Sequence, residues 1–208
     1  MPESAALDNP IPPLGRIMWA VGPTVIRLVG RPAISLRIES HAPLPDPPFV
    51  VAANHYSHLD PPLIGASIRR TVRFLALDEL AEANRFLAGA LPLFGAIPVP
   101  RVRLPIGALR TAIARLEAGE VVGVFPEGTR VARWGDRAPK RGAAWLACRT
   151  GTPLVPVAVV GTDRVFGVDN SFRRAPVRVI VGRALAPDGE DATSLTVRWA
   201  DWMESRLG

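Results

Sequence analysis

The stretch Phe49–Pro62, FVVAANHYSHLDPP, joins an apolar run to the first candidate functional residues of the chain. Its opening FVVAA is continuously apolar, which is typical of a strand buried on both faces of a sheet. His55 and Asp60 come directly after this strand. A helix is predicted to begin at Asp60, because aspartate is a good N-cap and the prolines that follow are tolerated in a first helical turn.

Apolar strands alternate with helical segments along the rest of the chain. This pattern predicts an α/β fold, a single layered domain with a mostly buried mixed sheet flanked by helices. With 208 residues, of which 48% are hydrophobic, the chain is long enough for one domain with a sizeable core. Strands are predicted at 33–40, 49–54, 72–77, 95–99, 120–125, 153–161 and 176–182, and helices at 60–68, 78–91, 104–119, 140–151 and 192–207.

Residues 1–30 are predicted to form an N-terminal arm and an amphipathic helix, with the main domain spanning 31–208. The segment Leu14–Gly30 is apolar, but Arg16, Pro23 and Arg27 interrupt it, and a bilayer-spanning helix needs about 20 mostly apolar residues. Trp19 between basic ends suits a helix that lies on a membrane surface. The alternative is an ordinary N-terminal helix packed on the core. The residues expected to touch a membrane are Ile17, Trp19, Val25 and Ile26.

The chain is basic, with a net charge of +6, and nearly all of its cations are arginine, Lys140 being the sole lysine. A basic protein suits an anionic partner such as nucleic acid, anionic lipid or a phosphorylated substrate, although genome composition alone also produces arginine-rich chains. Neither a phosphate-binding glycine loop nor a nucleic-acid signature is visible, so we expect no nucleic acid partner. A single cysteine, Cys148, excludes an internal disulfide and a cysteine-rich zinc site.

His55 and Asp60 have the spacing of a general base and its carboxylate partner. A neutral imidazole accepts a proton from an alcohol near neutral pH, and a carboxylate on its other nitrogen stabilises the imidazolium that forms. The chain contains no serine or cysteine in a nucleophile elbow, which favours direct attack by an acceptor hydroxyl. Alternatively, Asp60 is only a helix cap and His55 only a loop residue.

His58 opens a second alternative, in which His55, His58 and Asp60 bind a catalytic metal. Such sites usually have three or more protein ligands on suitable elements. The one remaining histidine, His41, lies in a proline-rich loop, so the sequence favours a site without metal.

The stretch FPEGTR, Phe125–Arg130, follows another predicted strand. Gly128 allows a close approach to the backbone, and Arg130 is suited to bind a phosphate through paired hydrogen bonds. Glu127 is suited to accept a hydrogen bond from a hydroxyl or to hold an arginine. Arg101 ends a third stretch of this kind, GAIPVPR. The alternative is a plain turn with solvated arginines.

Taken together, these stretches resemble the 1-acylglycerol-3-phosphate acyltransferases, the PlsC-like glycerolipid acyltransferases. NHYSHLD is similar to the family's NHxSxxD block, GAIPVPR to its second block, FPEGTR to its third and PLVPVAVVG to its fourth, in the same order. PKRGAAWLA is also similar to the helix that follows the third block. The resemblance covers about residues 49–161.

The resemblance implies an acyltransferase that moves a fatty acyl group from acyl-CoA or acyl-carrier protein to a lysophospholipid hydroxyl, most simply making phosphatidic acid for phospholipid biosynthesis. His55 would be the general base and Asp60 its partner. Arg101 would contact the acceptor's phosphate. Its glycerol phosphate would be bound by Glu127, Gly128, Thr129 and Arg130. Neither a metal nor another cofactor would be needed. Because no segment is predicted to span a bilayer, we expect the protein to be cytoplasmic and peripheral on the inner face of the cell membrane.

Two positions depart from the family pattern. Pro98 stands where relatives often carry an aromatic residue, and Leu77 stands where many carry a lysine thought to help with the phosphate. The departures leave open an acceptor other than 1-acyl-sn-glycerol 3-phosphate, such as glycerol 3-phosphate or a glycolipid. Two hypotheses of other classes also remain open, a metallohydrolase using His55 and His58 and a basic binding protein without catalysis.

Overall fold

The computed structural model of the protein describes residues 10–77, 89, 91–99, 106–166 and 172–208. Strands and helices alternate through these residues, as the sequence predicts. The strands are β1 Arg37–Ser40, β2 Phe49–Ala53, β3 Val72–Leu77, β4 Ile97–Val99, β5 Val121–Val124, β6 Leu154–Val160 and β7 Arg178–Val181. The helices are α1 Pro13–Ile34, α2 Asp60–Ile68, α3 Ile106–Glu117, α4 Gly142–Thr150, α5 Thr162–Val165 and α6 Ala192–Leu207.

The strands form one mixed sheet in the order β1-β7-β6-β2-β5-β3-β4. Five of them, β6-β2-β5-β3-β4, are parallel, whereas β7 runs antiparallel to β6 and β1 lies parallel to β7. Every residue of β2 is buried, which explains why its sequence is continuously apolar. The predicted α/β class, with a mostly buried mixed sheet flanked by helices, is therefore confirmed.

Helices cover both faces of the sheet. Helices α1 and α2 pack together over one face, where the core includes Phe49, Ile64 and Val179. Helices α3, α4 and α6 cover the other face, where the core includes Leu116, Leu146 and Trp199. Each face of the sheet thus has its own hydrophobic core, and the sheet lies between the two cores.

The first helix is longer than the sequence predicts. Ala33 and Ile34 were expected in a strand from 33 to 40, but α1 continues through Ile34 and β1 begins at Arg37. The reason is tertiary packing, because Ile34 is buried in the core below α2. The helix ends at Ser35, whose left-handed backbone (φ 48°) points its N–H at the carbonyl of Gly30.

Helix α1 has one face toward the core and an exposed apolar stripe. Trp19 and Ile26, expected at a membrane, instead pack on the core, while Ile17 and Val25 are exposed as expected. The exposed stripe consists of Leu14, Ile17, Val21, Val25, Leu28 and Val29. Within the part of the chain that the structure describes, no helix is long and apolar enough to cross a membrane. Most of the predicted N-terminal arm, residues 1–13, and of the predicted helix at 78–91 falls outside the described residues.

Candidate functional site

The candidate site lies at the carboxyl edge of the parallel strands. Strand β2 is paired on one side with β5 and on the other with β6, so that the segments leaving these three strands start next to one another. Those segments begin at Asn54, Phe125 and Gly161. Because parallel strands end at a common edge, NHYSHLD and FPEGTR meet there although they are far apart in the chain.

His55 and Asp60 are in contact, as their spacing predicts. The ring atom Nδ1 of His55 lies 2.9 Å from Oδ2 of Asp60. An ionised carboxylate can only accept hydrogen bonds. Nδ1 therefore carries the ring proton and donates a hydrogen bond to Asp60. Nε2 is then left with its lone pair and has no hydrogen-bond partner among the described residues. The His55 side chain is 14% exposed, whereas that of Asp60 is fully buried.

The buried Asp60 carboxylate is held by further hydrogen bonds. Its Oδ2 also accepts from the backbone N–H groups of Tyr56 and Ser57, both at 2.7 Å. Its Oδ1 accepts from the hydroxyl of Thr162 at 2.6 Å. Such bonds compensate the cost of burying the charge and fix the carboxylate against the imidazole.

The prediction that Asp60 is the N-cap of α2 is wrong. Helix α2 begins at Asp60 itself, and Leu59 occupies the cap position without a side-chain cap bond. The Asp60 carboxylate turns back toward the loop before the helix rather than forward to the first helical turn. Its position in that first turn still favours a negative charge through the helix dipole.

Residues that the sequence analysis did not single out complete the frame around His55. The ring of Phe125 stacks on the imidazole, with centroids 4.0 Å apart, and Phe74 stacks on Phe125 at 5.1 Å. The Asn54 amide exchanges two hydrogen bonds with the backbone of Val159, at 2.7 and 2.8 Å. Position just beyond strand ends was the available signal for Asn54, Phe125 and Thr162.

The turn 126–131 lies alongside His55. The N–H of Val131 donates to the carbonyl of His55 at 2.9 Å, and the N–H of Gly128 donates to the carbonyl of Phe125 at 2.9 Å. Gly128 has a φ of 72°, and a Cβ there would lie 2.8 Å from Nζ of Lys140. The positive φ is the reason the turn favours glycine, because the Lys140 amine is the far end of a flexible side chain and can move away from a Cβ.

Glu127 is buried in this turn, with only 2% of its surface exposed. Neither carboxylate oxygen has a hydrogen-bond partner within the described chain. The pKa of Glu127 is raised to about 7, chiefly by burial. The backbone N–H groups of Glu127 and His55 lower this pKa, and the charge of Asp60 raises it. A buried acid with a perturbed pKa beside a candidate base is typical of a functional site.

The other predicted binding residues lie in different surroundings. Arg130 and Gly128 are exposed and Thr129 is half-buried. Partial desolvation lowers the pKa of His58, and the charge of the nearby Arg130 lowers it further. Arg101, the fifth predicted binding residue, lies outside the described residues.

Two findings bear on the open alternatives. Among residues 10–77, 89, 91–99, 106–166 and 172–208, no group of three or more His, Cys, Asp or Glu side chains is placed to hold a metal ion. Leu77, at the position where a lysine was expected, ends β3 opposite Val99 of β4. Because β4 runs parallel to β3, Leu77 and Val99 lie at the same edge of the sheet.

Comparisons with known proteins agree on one family. A family model described as Acyltransferase matches residues 35–160. The chain is 32% identical over 141 residues to the 1-acyl-sn-glycerol-3-phosphate acyltransferase of Bacillus subtilis, covering 67% of this chain and 68% of that protein. It is 28% identical over 160 residues to the chloroplastic 1-acyl-sn-glycerol-3-phosphate acyltransferase LPAT1 of Arabidopsis thaliana, covering 74% of this chain and 44% of the plant protein.

A solved structure resembles the whole fold. The 1-acyl-sn-glycerophosphate (LPA) acyltransferase PlsC from Thermotoga maritima superposes with a TM-score of 0.70 at 25% sequence identity. The match covers 89% of this chain and 78% of that one. It therefore extends beyond the residues that the family model matches.

Proposed function

The chain belongs to the acyltransferase family, and we propose that it transfers a fatty acyl group from a thioester donor to the free hydroxyl of a lysophospholipid. The proposed acceptor is 1-acyl-sn-glycerol 3-phosphate, which gives phosphatidic acid. The contact of His55 with the buried Asp60, beside the FPEGTR turn, is the observation that carries this proposal. The names of similar proteins support the choice of acceptor.

In the proposed reaction His55 is the general base. Nε2 takes the proton of the acceptor hydroxyl as the hydroxyl oxygen attacks the thioester carbonyl, forming the new C–O bond. The C–S bond then breaks, and the imidazolium returns the proton to the departing thiolate. Asp60 keeps its charge throughout and stabilises the imidazolium. General base catalysis of this kind contributes a factor of about 10²–10⁴.

The carbonyl oxygen becomes negatively charged during the attack and requires hydrogen-bond donors. The N–H groups of Gly128 and Val131 already donate to backbone carbonyls. Within the described turn this leaves the N–H groups of Glu127, Thr129 and Arg130, and that of Glu127 lies beside its own carboxylate. The N–H groups of Thr129 and Arg130 are therefore the candidate donors. Their position beside His55 supports this role.

The acceptor's phosphate is proposed to bind Arg130 and Arg101. An arginine forms paired hydrogen bonds with phosphate, which suits the exposed position of Arg130 near the imidazole of His58. Glu127 is proposed to meet the acceptor's glycerol portion. Since its carboxyl group is buried and lacks a partner, an acceptor hydroxyl that reaches it would supply the missing hydrogen bond.

The donor is proposed to be acyl-CoA or acyl-carrier protein, with no metal or other cofactor. The exposed stripe of α1 supports docking on a membrane surface, where the lipid acceptor resides. We place the protein on the inner face of the cell membrane as a peripheral enzyme of phospholipid biosynthesis. Leu77 favours a second candidate, the same transfer to an acceptor with a different head group.

One experiment tests these assignments. Purified protein is incubated with labelled palmitoyl-CoA or palmitoyl-carrier protein and with 1-acyl-sn-glycerol 3-phosphate, glycerol 3-phosphate, monoacylglycerol or a glycolipid, each with and without chelator. We expect labelled phosphatidic acid in amounts that chelator does not change. Transfer to another acceptor alone would support the second candidate. Activity lost with chelator would revive the metal alternative, and no transfer at all would contradict the enzyme assignment.

A further inference from the structure

A cavity on the surface lies between the second half of α1 and strand β1, on the α1 and α2 side of the molecule. Its volume is about 360 Å³, and its lining contains three arginines and one glutamate. The lining residues are Arg27, Arg31, Leu36, Arg37, Ile38 and Glu39. None of them belongs to the candidate site described above.

The positive charges of this cavity are not balanced by its own glutamate. Glu39 lies 3.6 Å from Arg178 of the neighbouring strand β7, so its charge is shared with a cation outside the cavity lining. Within the described chain, Arg27, Arg31 and Arg37 form no ion pair with a carboxylate. A fourth arginine, Arg69 at the end of α2, is also near, and burial together with the charges of Arg69 and Arg31 lowers the pKa of Arg27.

Arginines held together without acidic partners repel one another, and an anion between them would relieve this repulsion. Leu36 and Ile38 add apolar groups to the lining of the cavity. A phosphate group fits such a setting, because guanidinium groups bind its oxygens through paired hydrogen bonds.

The cavity borders the exposed stripe of α1. A helix advances about 100° per residue, so Arg27 and Arg31 lie one turn apart on the same flank of the helix. Leu28 and Val25 of the exposed stripe lie next to this flank, and both side chains are exposed. If the stripe enters the apolar layer of a bilayer, the cavity is held at the level of the lipid head groups.

We propose that this arginine cavity binds the phosphate of an anionic phospholipid of the bilayer, and so gives the docked protein a preference for anionic membranes. The proposal rests on the membrane docking proposed above and names the lipid class that this docking recognises. It adds a lipid site that is separate from the acceptor site at His55.

The test compares arginines inside and outside the cavity. Flotation is measured with vesicles of phosphatidylcholine alone and with added phosphatidylglycerol. Arg37→Gln removes a cavity arginine that is not on α1, whereas Arg16→Gln removes a charge that is on α1 but not in the cavity. We expect Arg37→Gln to weaken binding to the anionic vesicles about fivefold, and Arg27→Gln/Arg31→Gln about twenty-five-fold. We expect Arg16→Gln to change binding less than twofold.

A control for net charge is Arg149→Gln/Arg183→Gln, two exposed arginines outside α1 and the cavity. If this double variant or Arg16→Gln loses as much binding as the corresponding cavity variant, general charge attraction explains the preference and the proposal is wrong. Wild-type protein that floats equally with both vesicles would also overturn it while leaving docking intact. Protein that floats with neither vesicle contradicts the docking itself.

The arginine cavity could instead bind free phosphate, which carries the same anionic group as the lipid. Inorganic phosphate is added at an ionic strength matched with sodium chloride. We expect it not to release the protein from anionic vesicles, since it offers no bilayer to the exposed stripe. Release by phosphate but not by chloride would identify a site for a soluble anion and would overturn the lipid assignment.

Discussion

At the scale of single residues, the imidazole of His55 is fixed on two sides. Asp60 holds its Nδ1, and the ring of Phe125 stacks on its face. Nothing comparable restrains the exposed His58 among the described contacts. The two histidines of NHYSHLD therefore differ in environment as well as in spacing to Asp60.

We expect His55→Ala to reduce kcat/KM at least about 10²-fold, since it removes the general base. His58→Ala, the matched control, should cost less than about tenfold because its ring has no partner in the proposed reaction. Melting temperatures of both variants show whether each remains folded. Equal losses in two folded variants would contradict the assignment of the base to His55.

Glu127 should make stability depend on pH. Its pKa is raised to about 7 in the folded protein from an ordinary value of 4.5, so the folded state holds the proton at pH values where the unfolded state has lost it. Its contribution to the free energy of unfolding is therefore fully present below pH 4.5 and is lost as pH rises toward 7. The loss amounts to at most about 3 kcal/mol, at 1.36 kcal/mol per pKa unit.

Urea unfolding of the wild type and of Glu127→Gln across this pH range measures that loss. The amide cannot ionise, so we expect the wild-type free energy of unfolding to fall relative to that of the variant as pH rises. Curves that run parallel would show that Glu127 titrates alike in the folded and unfolded states.

Arg130 is expected to recognise the acceptor's phosphate. Charge-assisted hydrogen bonds contribute about 1.5–3 kcal/mol each, so Arg130→Ala should lower kcat/KM for 1-acyl-sn-glycerol 3-phosphate about 10- to 100-fold. Arg130→Lys should also be impaired, because lysine cannot form the paired contact. Monoacylglycerol, which has no phosphate, should be affected less. The measurement is the ratio of the two kcat/KM values, with Arg137→Ala in the same loop as the control. A ratio that is constant across these proteins would remove Arg130 from phosphate recognition.

At the scale of elements, α1 was correctly predicted as a helix, but two of the residues expected at a membrane pack on the core. The segment Leu14–Gly30 predicts a helix with Trp19 at a membrane, yet Trp19 packs against Gly65 of α2, where an added Cβ would lie 2.6 Å from the indole. That contact depends on α2 having a glycine at the crossing point. The sequence around Trp19 does not contain this information.

The exposed stripe, rather than Trp19, should bind membranes. Replacing Ile17 and Val21 with serine is expected to weaken vesicle binding at least about tenfold, because burying each aliphatic side chain contributes about 1.5–3 kcal/mol when complete. Ile106→Ser/Val197→Ser is a matched control, since Val197 and Val21 are both 53% exposed but Val197 lies on α6, across the sheet. Equal binding by the two double variants would place the docking surface elsewhere.

Contacts between distant segments also decide which parts of the candidate site could be predicted from the sequence. His55, Asp60 and the FPEGTR turn could be predicted because each directly follows an apolar strand, and strand ends meet at one edge. Thr162 and Asn54 also lie just beyond strand ends, but their contacts were not predictable, because their partners lie more than one hundred residues away and depend on the order β6-β2-β5. The direction of the Asp60 carboxylate likewise depends on the loop before α2, which helix propensity does not describe.

At the scale of the whole molecule, the sheet brings distant segments into one frame. His55 and Asp60 follow β2, the turn with Glu127 follows β5, and Thr162 follows β6. No single segment holds all of these groups, so the candidate site requires the assembled sheet. Its two cores, one on each face, support the central strand β2 from both sides.

The long-range bonds around β2 also predict the order of events in refolding. Asn54 bonds to Val159 and Asp60 to Thr162, at separations of 105 and 102 residues. Contacts between such distant segments form late, because the entropy of closing long loops must be overcome first. After dilution from denaturant, helical circular dichroism should recover before acyl transfer does. A Thr162→Val variant should lengthen this delay, because it removes the hydrogen bond between Thr162 and the carboxylate of Asp60.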